Sequence, residues 1–182
     1  MNYVYKMDEI LKITKEERNL GSKRPELGKG YQGIVEAGYG IKVGLYGLNV
    51  LKLNVINGYR INNTFSGGIG TGVRYYSEDG QSATVIPLFA DFRANLSQNS
   101  IAPYVAVDLG YSFDASDKFT GLGALVNPSV GVGFHLKNKS ILNVGLGYEL
   151  QRINFSYMDW NGYERKDGKN TNAISLNVGI SF

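Results

Sequence analysis

Over residues 31–182 the chain alternates large apolar residues with small or polar ones at period two, in eight segments of about ten residues each. Such alternation places successive side chains on opposite faces of an extended strand and fits no helix. The segments are 31–43, 50–61, 65–76, 84–95, 102–113, 124–136, 140–152 and 173–182, separated by turn-forming residues. In the first, Val35, Ala37, Tyr39 and Ile41 oppose Glu36, Gly38, Gly40 and Lys42. In the seventh, Leu142, Val144, Leu146, Tyr148 and Leu150 oppose Asn143, Gly145, Gly147, Glu149 and Gln151. One face reads as apolar throughout, and the other as small, polar or charged. The longest unbroken apolar run, 85–90, is far shorter than the roughly 20 residues of a spanning helix.

Two architectures share this pattern. A soluble barrel or sandwich, lipocalin-like, turns the apolar face inward. A membrane barrel turns it outward to lipid and lines its interior with the polar face. Three features favour the second. Glycines crowd the polar face (Gly68, Gly70, Gly72, Gly131, Gly133, Gly145, Gly147), where they would weaken a solvated strand but make room inside a narrow eight-stranded barrel. Aromatic residues stand near segment ends on the apolar face, among them Tyr39, Tyr59, Phe65, Tyr75, Tyr111, Phe134, Tyr148 and Phe182, as suits two membrane interfaces. Connections after the second, fourth and sixth segments are short. Those after the third, fifth and seventh lengthen to roughly 7, 10 and 20 residues. An even strand number closes the sheet and leaves no edge exposed to lipid.

Composition narrows the chemistry. The chain has no cysteine, so disulfides, thiolate metal sites and cysteine nucleophiles are excluded. Its single histidine, His135, rules out multi-histidine zinc sites and reads as a hydrogen-bonded residue of the lumen or rim. No Ser/His/acid arrangement, cofactor motif or metal-ligand series emerges. The glycine run 67–72 lacks the lysine of a phosphate-binding loop. A net charge of +3 is too small to argue for nucleic acid.

Projecting the alternation places nine charged side chains inside: Lys42, Lys52, Arg60, Arg74 and Arg93 against Glu36, Asp91, Asp108 and Glu149. Buried charges persist only when paired and hydrogen-bonded. The expectation is a lumen plugged by ion pairs. Glu36, Arg60, Asp91 and Arg93 should lie near the short-turn rim, and Lys42, Lys52, Arg74, Asp108 and Glu149 from mid-barrel to the loop rim. A water-filled narrow pore is the alternative. The long connection 153–172 carries the only tryptophan, and Tyr157, Trp160 and Tyr163 are its candidate contacts for a surface ligand. Alternatively these residues extend the flanking strands.

The stretches YQGIVEAGYGIKVG, SVGVGFHLKNKSILNVGLGYELQ and AISLNVGISF resemble small outer-membrane β-barrels of Gram-negative bacteria, of the OmpA-type transmembrane-domain class. The resemblance covers residues 31–182. It implies an all-β, antiparallel, up-and-down eight-stranded transmembrane barrel in the outer membrane, with lipid and the barrel-assembly machinery as partners. It makes Val178, Ile180 and Phe182 the alternating positions of an assembly signal in the last strand. The expected role is structural, anchoring or surface-interacting, and not enzymatic. Residues 1–30 read as leader or linker, either the tail of an upstream periplasmic module or a plain leader. Residues 1–18 mix acids and bases where a secretion signal needs an apolar stretch, so an exported chain is expected to be processed or truncated.

Overall fold

The computed structural model describes residues 28–78, 81–115, 119–136, 138–158 and 164–182, with the backbone path alone at 78, 81, 154–158 and 164–167. Eight strands follow one another: β1 Gly30–Val43, β2 Asn49–Arg60, β3 Phe65–Glu78, β4 Gln81–Asn95, β5 Ile101–Asp114, β6 Gly121–His135, β7 Ile141–Met158 and β8 Glu164–Ser181. Each pairs antiparallel with the next, and β8 returns to β1 to close the barrel. At the seam Gly33 and Phe182 exchange both backbone hydrogen bonds, each 2.9 Å. Of the leader or linker expected over 1–30, residues 1–27 lie outside the described part, and Gly30 already opens β1.

The strands turn their apolar face outward. Val105, Leu146 and Ile180 are 40%, 55% and 40% exposed on the outer wall. A continuous wall of this kind is unstable in water and calls for lipid, which removes the lipocalin-like alternative. Exposed rings gather at both rims: Tyr31, Tyr59, Phe65, Phe134 and Phe182 towards the short turns, and Tyr39, Tyr75, Tyr111 and Tyr148 towards the other end. On β3, Phe65 and Tyr75 are ten residues apart. At about 3.3 Å per residue and a tilt of about 40°, they bracket a band roughly 25 Å tall, the height of the apolar belt of outer-membrane barrels.

Two expectations need correction. Two of the three longer connections are mostly strand. β7 and β8 stay in register from Ile141↔Ser181 to Met158↔Glu164, so 153–158 and 164–172 are ladder, and 159–163 lie outside the described residues. Likewise β3 and β4 run on to Glu78 and Gln81. Continuing the ladder satisfies backbone groups that a loop would leave to water. The interior, moreover, is not uniformly small and polar. One apolar cluster inside joins Val50, Tyr76, Val85, Leu122, Ile153 and Ala173, and a second joins Ile34, Ile56, Phe89 and Leu125. The consecutive apolar run 85–90 already implied this, since it supplies both faces of β4 at once.

Glycines record how tightly the wall and lumen are packed. A Cβ at Gly72 would collide with the Leu53 carbonyl oxygen of the neighbouring strand and lie 2.8 Å from Asn54 Oδ1. A Cβ at Gly67 would meet nothing closer than 3.4 Å. We therefore expect Gly72→Ala to destabilise the barrel by about 1–3 kcal/mol through overpacking. Gly67→Ala, on the same strand, should be neutral or stabilising by about 0.5–1 kcal/mol. Urea unfolding of the two variants in vesicles checks the order, and equal effects would refute it.

Candidate functional site

The candidate site is the lumen. Of the nine charged residues expected inside, eight are buried there: Glu36, Lys52, Arg60, Arg74, Asp91, Arg93, Asp108 and Glu149. Lys42 is the exception. It lies at the loop-side end of β1, next to the turn, and is exposed to solvent. Removing it from the count leaves four acids against four bases, so the interior balances without it.

The buried charges form two clusters. In the first, Lys52 on β2 and Arg74 on β3 are direct cross-strand partners. Like charges so placed repel. Glu149 reaches them from β7 across the lumen, with Oε2 3.0 Å from Arg74 Nε and 3.5 Å from Lys52 Nζ. The Tyr76 hydroxyl donates to its other oxygen at 2.7 Å, and Lys52 Nζ donates to Ser175 Oγ at 2.9 Å. The Arg74 guanidinium also stands 5.8 Å from the centre of the Phe89 ring, within cation–π range.

The second cluster repeats the logic with the signs reversed. Asp91 on β4 faces Asp108 on β5. Arg93 Nε binds Asp91 at 2.9 Å, and Arg93 Nη2 reaches Glu36 of β1 at 3.4 Å. Asn127 Nδ2 donates to Asp108 Oδ2 at 2.8 Å. Asp108 thus belongs with Asp91, lower than its place along β5 suggested, because strand stagger and not position along one strand sets height. Asn54 joins the clusters. It accepts from Arg74 Nη1 at 3.4 Å and donates to Glu36 at 3.5 Å. The side chains from Tyr76 to Asp91 therefore make one continuous hydrogen-bonded network. The sequence reading missed Asn54, Tyr76, Asn127 and Ser175 as connectors, although Asn54 shares the inward parity of Lys52, and Tyr76 that of Arg74.

The other expected residues fall as follows. Arg60 is buried at the short-turn end of β2, opposite Gly30. His135 is half-buried at the same rim, with Nδ1 3.2 Å from the Ser100 carbonyl oxygen. Val178, Ile180 and Phe182 share the outer face, and the Phe182 ring covers Gly33. Tyr157 lies on β7, paired with Arg165. Trp160 and Tyr163 lie outside the described residues.

This arrangement is a closed eight-stranded antiparallel barrel with the architecture of outer-membrane barrels, its interior largely polar and its outer wall apolar. Among solved structures, Neisserial surface protein A (NspA) is similar at 14% identity, covering 85% of this chain and 96% of that one, with a TM-score of 0.58. The outer membrane protein OprG from Pseudomonas aeruginosa is similar at 9% identity, covering 87% and 96%, with a TM-score of 0.56. The outer membrane enzyme PagL matches at 14% identity over 82% and 98%, with a TM-score of 0.49. At these identities the likeness shows the fold alone. No family model and no curated protein matches the chain.

Proposed function

We propose that the protein is an integral outer-membrane barrel with a plugged lumen, non-enzymatic, that anchors an upstream periplasmic module or presents its loop-side hairpins to a surface ligand. The observation that carries the plug is the continuous network from Tyr76 to Asp91. Its charged members come from β1, β2, β3, β4 and β7, so the network crosses the lumen instead of lining one wall. An open pore would leave these groups facing water, and most of them are less than a tenth exposed. The stretch 153–172, which carries Tyr157, Trp160 and Tyr163 in sequence, is the candidate contact for the ligand. Lipid covers the outer wall, and the barrel-assembly machinery would read Val178, Ile180 and Phe182. His135 Nδ1 lies 3.2 Å from the Ser100 carbonyl oxygen, as suits a hydrogen-bonded residue of the rim.

The test is conductance in planar bilayers. The purified, heat-modifiable barrel should leave the bilayer electrically silent. A large, steady, single-level channel would overturn the plug and favour the pore.

A further inference from the structure

The apolar cluster at the loop-side end of the lumen has no place in an account built on ion pairs. Its members are Val50 on β2, Tyr76 on β3, Val85 on β4, Leu122 on β6, Ile153 on β7 and Ala173 on β8, with Leu48 packed against it. Six of the eight strands therefore contribute to one connected layer. The remaining two are closed as well. On β1 the position is Gly40, whose missing Cβ would lie 2.6 Å from Val50 Cγ1 and 3.2 Å from Ala173 Cβ, so these two side chains pack over it. On β5, Ser112 donates to Gln151 Oε1 at 2.6 Å, and both residues are fully buried.

The layer sits directly on the first ion cluster. One inward position further into the barrel, Val50 is followed by Lys52, Tyr76 by Arg74 and Ala173 by Ser175. The Tyr76 hydroxyl ties the two levels together through Glu149.

We infer that this apolar layer, and not the ion-pair network beneath it, is the barrier to water and ions in the lumen. The inference rests on the reading that the lumen is plugged, and it moves the seal itself from the network that crosses the lumen to the apolar layer above it. The physical contrast lies between the two levels. A gap opened among polar side chains has partners for water and hydrates. A gap among Val, Leu and Ile side chains stays dry, and an ion entering it must shed its hydration shell with nothing in return. Loosening the ion cluster therefore wets an internal chamber that remains shut towards the loops. Loosening the apolar layer connects that chamber to the outside.

The experiment compares conductance of the full chain in planar bilayers, with the heat-dependent gel shift reporting folding of each variant. Wild type is measured first. If it conducts, the plugged-lumen reading itself falls. Given a silent wild type, Val85→Ser combined with Leu122→Ser should raise channel openings at least about tenfold, whereas Lys52→Ala should stay silent. The reverse pattern in folded protein, a conducting Lys52→Ala and a silent double variant, overturns the inference and leaves the plug standing.

If the double variant does not fold, labelling decides. The chain has no cysteine, so Ser175→Cys introduces a single thiol just below the layer. A membrane-impermeant maleimide should label it slowly, and at least about tenfold faster once the near-isosteric Val85→Thr is added. An unchanged labelling rate counts against the layer as the seal.

Discussion

Replacing Glu149 by alanine should cost the barrel about 3–5 kcal/mol, the usual consequence of removing one partner from a buried ion pair. Among the described residues Glu149 is the acid in ion-pair contact with Lys52 and Arg74, and all three are almost wholly shielded from solvent. Without it two adjacent cations remain buried without an ion-pair contact to Glu149, and the Tyr76 hydroxyl loses its acceptor. The converse substitution should be mild. Lys52→Met keeps the chain volume and leaves a neutral Arg74–Glu149 pair, so its cost should stay within about 1.5 kcal/mol. The double variant should be more stable than the sum of the two losses predicts, because one of the two stranded cations is gone. A favourable coupling of about 0.5–3 kcal/mol is expected. Urea unfolding in lipid vesicles provides all four corners of the cycle. A Glu149→Ala barrel within about 1 kcal/mol of wild type would mean that the cluster is hydrated and contributes little.

The features legible in the sequence are those that depend on parity alone. Whether a side chain points to lipid or lumen follows from counting in twos. That is why Leu146 reads as outside, and Glu36, Arg74 and Glu149 as inside, without any knowledge of pairing. Heights were harder, because they depend on the stagger between strands. Asp108 was expected nearer the loop rim, yet register sets it against Asp91. Lys42 obeys the alternation but lies at the strand end, where parity no longer implies enclosure. The β7–β8 stretch stayed open between contact loop and strand extension for a different reason: residues 153–172 lose the apolar alternation where the wall leaves the membrane, while the backbone ladder continues at 153–158 and 164–172. The internal apolar clusters were masked by treating the period as a property of one face. At 85–90 both faces are apolar, so Val85 and Phe89 point inward while Leu88 stands on the outer wall.

Leu146→Arg tests the orientation on which the lumen depends. Leu146 lies midway along the wall-forming part of β7, between Val130 of β6 and Leu176 of β8, and all three are exposed on the outer face. If acyl chains cover this wall, a guanidinium at that depth should cost about 2–4 kcal/mol. The same substitution at Ile101, the first residue of β5 beside a short turn, places the charge near the interface. There it should cost only about 0–1 kcal/mol. The gradient matters more than either value. In water both positions would be exposed surface, and each arginine would fall within about 0.5 kcal/mol of wild type. Folding in vesicles, followed by urea titration and gel mobility, separates the cases. Equal and small effects at Leu146 and Ile101 would mean that lipid does not contact this wall, and a lumen sealed from one side would then have no membrane to seal.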